Sequence, residues 1–110
     1  MPITVAAERD ELRRLLGGIA IATKTADYTA LTSDFVLLCD ASSGALTITL
    51  PSVASNPGNP FYVKRLNSGA NTVTIAAVGS DLIDGSSTAV LNSRYETLLL
   101  VAEAGSWHVI

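Results

Sequence analysis

The chain is short of charge: Asp, Glu, Lys and Arg make up 15% of its 110 residues, where about a quarter is ordinary for a soluble domain. That scarcity argues against a nucleic-acid partner, because neutralising phosphates takes clustered Lys and Arg. The net charge is −3, and beyond residue 19 the cations are Lys24, Lys64, Arg65 and Arg94, too scattered for a basic track. A single cysteine, Cys39, excludes an intramolecular disulfide framework. A single histidine, His108, leaves little for nucleophilic catalysis, which needs a base positioned by an orienting partner of its own. One Cys and one His do not make a conventional zinc site. No apolar run approaches the roughly 18 residues of a membrane span. The segment Met1 to Arg14 lacks the basic start and apolar core of a secretory signal. Together these absences predict a non-enzymatic protein made in the cytoplasm, with no cofactor, no metal and no membrane partner.

Three weaker chemical signals have simpler readings. Cys39 lies in the apolar run Phe35-Val36-Leu37-Leu38-Cys39, where a cysteine is usually buried and inert. Asp81 and Asp84, with Gly85, Ser86 and Ser87, suggest calcium, but their spacing is not that of an EF-hand loop, and Asp and Gly are favoured turn formers. In a strand, His108 and Trp107 point to opposite faces, so His108 reads as a surface or interface residue.

What the chain does have is apolar residues, at 48%. A small domain must cover a high ratio of surface to volume with polar groups. An ordinary apolar fraction with little charge therefore points to surface covered by another chain. The first nineteen residues hold three of the seven cations in a helical pattern. Thr4 is a candidate N-cap, Glu8, Asp10 and Glu11 come early, Arg13 and Arg14 late, and Gly17-Gly18 closes the run. This order complements the helix dipole. Val5, Leu12, Leu16 and Ile19 fall near one face, with Leu15 beside them. A helix of about a dozen residues is marginal alone in water, so these five residues are the candidate protein interface. Contact with another chain is preferred over packing on the arm's own domain.

From residue 20 onward the pattern is that of strands. Three hairpin-like units stand out: Phe35–Cys39 with Leu46–Leu50, Phe61–Leu66 with Thr72–Ile75, and Leu98–Val101 with Trp107–Ile110. Each has β-branched or aromatic flanks around a Gly-bearing turn. Ser43-Gly44-Ala45 before Thr47-Ile48-Thr49 resembles Ser68-Gly69-Ala70 before Thr72-Val73-Thr74. The spacing does not continue, so the similarity reads as one local solution used twice and not as a solenoid. Alternation in Thr47-Ile48-Thr49-Leu50 gives that strand one apolar and one hydroxyl face. The prediction is a mainly β fold: an antiparallel β-sandwich or jelly-roll-like module of about eight or nine short strands over residues 20–110, preceded by a helical arm over 1–19.

From Thr23 to Ile110 an ordered series of short motifs resembles a β module of tailed-bacteriophage virion proteins, including tail fibres, head fibres and capsid decorations. The motifs are Thr25-Ala26-Asp27-Tyr28-Thr29, Asp40-Ala41-Ser42-Ser43-Gly44-Ala45, Thr47-Ile48-Thr49-Leu50-Pro51 and Tyr62-Val63-Lys64. They continue through Ala70-Asn71-Thr72-Val73-Thr74-Ile75, Ile83-Asp84-Gly85, Tyr95-Glu96 and Trp107-His108-Val109-Ile110. The resemblance implies a virion structural role as a homotrimer, in contact with the major capsid protein or another virion protein. It carries over no functional residues. A compact body with an arm and no fibrous shaft favours a capsid decoration, or cement, protein on the outer capsid surface. The alternatives are a short tail-fibre, head-fibre or receptor-binding tip module, and a cellular carbohydrate-binding module; a glycan receptor belongs to these alternatives alone.

Overall fold

The computed structural model describes residues 20–55, 58 and 60–110. The expected arm over 1–19, with Val5, Leu12, Leu15, Leu16 and Ile19, lies outside the described residues. The rest is mainly β, as expected, with ten strands in two packed mixed sheets. They are β1 (Ile21–Lys24), β2 (Tyr28–Thr29), β3 (Val36–Cys39), β4 (Leu46–Thr49), β5 (Pro60–Arg65), β6 (Val73–Ala76), β7 (Leu82–Ile83), β8 (Thr88–Leu91), β9 (Thr97–Glu103) and β10 (Ser106–Val109). One sheet has six strands in the order β1-β3-β5-β9-β10-β7, the other four in the order β2-β4-β6-β8.

The path through these sheets corrects the antiparallel, jelly-roll-like expectation. The chain alternates sheets at every step from β1 to β9, so the first two expected hairpins are arches. β3 and β4 do not pair, nor do β5 and β6; each pair faces across the core. The arches stack, which makes β1-β3-β5 and β2-β4-β6 parallel. Five strand pairings are parallel and three antiparallel among the described residues. This is a short solenoid-like stack with unequal coils, contrary to the reading that the repeat does not propagate. The motif match places Thr47 against Thr72, whereas the sheet pairs it with Thr74. A Gly-bearing turn between two amphipathic strands serves an arch as well as a hairpin, so sequence alone does not separate them.

The third expected hairpin is real. β9 and β10 pair antiparallel from Glu103↔Ser106 to Leu100↔Val109, across Ala104-Gly105. Both turn residues have positive φ, 55° and 79°, as in the primed turns that match strand twist. Trp107 packs fully buried, edge-on against Phe61 at 5.6 Å between ring centroids.

The core between the sheets takes Leu37, Phe61, Val63 and Leu100 from one side and Leu46, Ile48, Val73, Ile75 and Leu91 from the other. At one end of it lie two buried polar side chains, Arg65 at 1% and Asn67 at 6% exposure. The Asn67 side-chain oxygen accepts from the Ala41 amide at 3.0 Å, and its amide group donates to the Asn71 carbonyl at 3.0 Å. Asn71 in turn donates to the Ala41 carbonyl at 2.9 Å. The Arg65 guanidinium donates to the carbonyls of Gly69, at 2.6 Å, and of Asn92. Turn 40–45, turn 66–72 and the 92–96 connection are thereby tied together. At the other stack edge Lys24 points inward over the Tyr28 ring at 3.7 Å, an inward charge of the kind that discourages edge pairing.

Replacing Arg65 by Met should cost about 2–4 kcal/mol, because the Gly69 and Asn92 carbonyls lose a charged donor that is itself held in the buried end of the sandwich. Arg94→Met, at an exposed position, should cost less than about 1 kcal/mol. Urea unfolding curves check both; equal effects would remove Arg65 from the role assigned to it.

Candidate interaction surface

The two outer faces of the sandwich differ. On the four-stranded sheet the outward rows are Thr29, Thr49, Ala76 and Thr88, and Thr47, Thr74 and Val90. Threonine hydroxyls suit water, and the alternation in Thr47-Ile48-Thr49-Leu50 correctly marks that face as polar. On the six-stranded sheet the outward row is Ile21, Val36, Tyr62 and Leu99, with Leu38 and Val101 beside it. Ile21 is 60% exposed and the other five are partly exposed.

Strand direction explains why this contrast matters. Parallel strands normally occur with both faces covered, and then read as continuous apolar runs. Phe35-Val36-Leu37-Leu38-Cys39, in the parallel strand β3, is such a run, and Leu98-Leu99-Leu100-Val101, in the antiparallel strand β9, extends the apolar sequence beside it. Leu37, Cys39 and Leu100 fill the core, whereas Val36, Leu38 and Leu99 point out. A groove of about 510 Å³ runs over this face, lined by Ile21, Phe35, Val36, Leu38, Tyr62, Lys64 and Thr97. Phe35 stacks on Tyr62 with centroids 5.7 Å apart, which presents a flat aromatic floor. Lys64 is the cation on the face. The sequence pointed to the arm residues as the candidate interface and not to this face, for which the unbroken apolar runs were the signal.

The other sequence candidates occupy structural positions. Cys39 is buried, and desolvation pushes its thiol up to about 12. Asp81 accepts from the Val53 amide at 2.9 Å and Asp84 from the Val109 amide at 3.2 Å, so each braces a neighbouring segment. No group of three or more His, Cys, Asp or Glu side chains that could hold a metal ion occurs among the described residues. His108 faces outward, with its Nε2 3.2 Å from the Glu103 carbonyl and 3.8 Å from the Glu103 carboxylate. Among the described residues no helix is long and apolar enough to cross a membrane.

A second surface feature lies by the buried Asn67. Tyr95 is 54% exposed and has φ +65°, a conformation that costs a non-glycine residue about 1 kcal/mol or more. Arg94 sits 4.7 Å and Lys64 5.4 Å from its ring centroid. Asp40, Ser42, Leu66, Asn67, Ser68, Arg94 and Tyr95 line an open pocket of about 440 Å³. Hydrogen bonds from Ser42 hold the Asp40 carboxyl below its ordinary range.

The chain matches no protein-family model and no curated protein sequence.

The raised Cys39 pKa carries a stability consequence. An unfolded thiol ionises near about 8.5, while the folded one keeps its proton to about 12. Between these values the unfolded state binds fewer protons, so this contribution is complete below the lower pKa and is lost as pH rises through the window. Unfolding at pH 8, 9.5 and 11 should show falling stability that a Cys39→Ala variant shows less steeply. The folded protein should also resist thiol reagents at pH 8 and react once unfolded.

Proposed function

We propose that this chain is a non-enzymatic structural module of a tailed-bacteriophage virion, a homotrimer that binds the outer capsid surface as a decoration protein. The observation that carries the assembly role is the apolar outer face of the six-stranded sheet. A lone module in water gains nothing from Ile21, Val36, Leu38, Tyr62 and Leu99 pointing outward, whereas a subunit of a larger particle buries them. Contiguous apolar patches of this kind mark interaction surfaces. The shortage of charge supports the same reading. The phage assignment rests on the ordered motifs from Thr25-Ala26-Asp27 to Trp107-His108-Val109-Ile110, several of which occupy the stacked arches. Asp40-Ala41-Ser42-Ser43-Gly44-Ala45 is the turn tied to Asn67 and Asn71.

A receptor-binding tip is the second reading, and the Tyr95 pocket favours it. An exposed aromatic ring beside Arg94, Asp40 and Ser42 offers the stacking surface and hydrogen-bonding groups that a sugar ligand uses.

Light scattering on the purified protein should give three times the 11.4 kDa chain mass, and the protein should co-sediment with undecorated capsids. A mass of one chain at micromolar concentration would remove the trimer. Leu38→Asp, which charges the outer face and spares the core, should lower the oligomer mass and leave the far-ultraviolet circular dichroism unchanged.

A further inference from the structure

We propose that the apolar outer face of the six-stranded sheet is the docking site for residues 1–19, the arm of the same polypeptide or of a neighbouring copy. The inference rests on reading this face as buried in the working protein, and it names the occupant.

The point of attachment is the first argument. The arm joins the sheet at Ala20, whose carbonyl accepts from the Val36 amide at 3.0 Å. The next residue, Ile21, is the first of the outward apolar row. The arm thus enters at the border of the face it is to cover. Gly17-Gly18 stands just before that junction, where glycine allows the chain to reverse.

Length is the second. From β1 across β3 and β5 to β9 is three strand spacings, about 14 Å. A helix of about a dozen residues is about 18 Å long. An arm of that size spans the row Ile21, Val36, Tyr62 and Leu99 without overhanging the sheet.

The third argument is chemical match. At helical spacing Val5, Glu8, Leu12 and Leu15 fall in one row of the arm, since their separations are three, four and three residues. The row is apolar with one acid. The outer face is apolar with one cation, Lys64, partly buried beside Leu38 and Thr97. Glu8 against Lys64 sets the direction in which the arm lies. The threonine-lined outer face of the other sheet offers no such complement.

A benzophenone carried on Leu12→Cys maps the contact, because the native Cys39 is buried and takes no label. On illumination the full chain should cross-link to peptides holding residues 35–38, 60–64 or 97–101. Cross-links only to the four-stranded sheet would overturn the proposal. The mass of the product reports the topology: one chain means the arm folds on its own body, two or three chains mean exchange. Hydroxyl-radical footprinting gives an independent readout. Deleting residues 1–18 should raise oxidation of Tyr62 and Leu38 several-fold, with Tyr28 as the unaffected control. Glu8→Lys should raise it too, and adding Lys64→Glu to that variant should restore protection.

Three results would refute the pairing. They are full reactivity of Tyr62 in the intact chain, protection that survives the truncation with the oligomer mass unchanged (a second sheet covering the face), and protection that arises only on capsids. A single-chain cross-linked product would uphold the pairing while removing this face as the ground for the trimer, so the two readings fail separately.

Discussion

Stacked arches create a problem that hairpins avoid: their turns lie on top of one another, and buried amides and carbonyls there have no ladder partner of their own. Asn67 answers it for this chain. Its side-chain amide, 6% exposed, takes the Ala41 amide of the preceding turn and gives to the Asn71 carbonyl of its own. Asn71 returns a bond to Ala41. Arg65 then reaches the Gly69 and Asn92 carbonyls. A buried polar group without partners costs about 1–3 kcal/mol, so this end of the sandwich tolerates little rearrangement. The parallel register of β3 with β5 and of β4 with β6 depends on the turns remaining stacked. Arg65 here is a structural donor set: no carboxylate lies within ion-pair distance of it among the described residues.

Parallel register has a consequence at the surface. A parallel layer is at home when covered on both faces, and the two sheets meet that condition differently. The four-stranded sheet turns threonines to water, while the six-stranded sheet turns out Val36, Leu38, Tyr62 and Leu99. The module has one outer face lined mostly by threonines and one lined mostly by apolar side chains. That asymmetry, more than any single residue, is the ground for the proposed assembly role. The polar chemistry gathers elsewhere, at Tyr95, where a strained backbone and two nearby cations sit over the Asn67 network. Lys64 joins the two regions, since it lines the groove on the apolar face and its ammonium lies 5.4 Å from the Tyr95 ring centroid.

Much of the architecture was legible along the chain. Strand positions followed from β-branched runs between Gly-bearing turns. The burial of Cys39 followed from its place in an apolar run, and the outward placement of His108 opposite Trp107 and the polar face of Thr47-Ile48-Thr49-Leu50 from period-two alternation. The β9–β10 hairpin was expected on the same Gly-bearing turn signal that stood for hairpins at the two arches. The arches were not legible, because a strand's apolar side looks the same whether its successor pairs beside it or faces it across the core. The repeat was visible, but its register slipped by two residues, with Thr47 meeting Thr74 instead of Thr72.

The sequence by itself determined the kind of protein this is: β-rich, poor in charge, with a lone Cys39 and a lone His108. Those are properties of composition and of local spacing, set residue by residue. Only the tertiary structure decided that the strands stack in parallel, that Arg65 and Asn67 close one end, and that Val36, Leu38, Tyr62 and Leu99 share one outer face. Each of these joins residues distant along the chain, such as Ile21 with Val36, Ala41 with Asn67 and Val36 with Tyr62. Such pairings follow from which turns stack, and local pattern does not encode that choice.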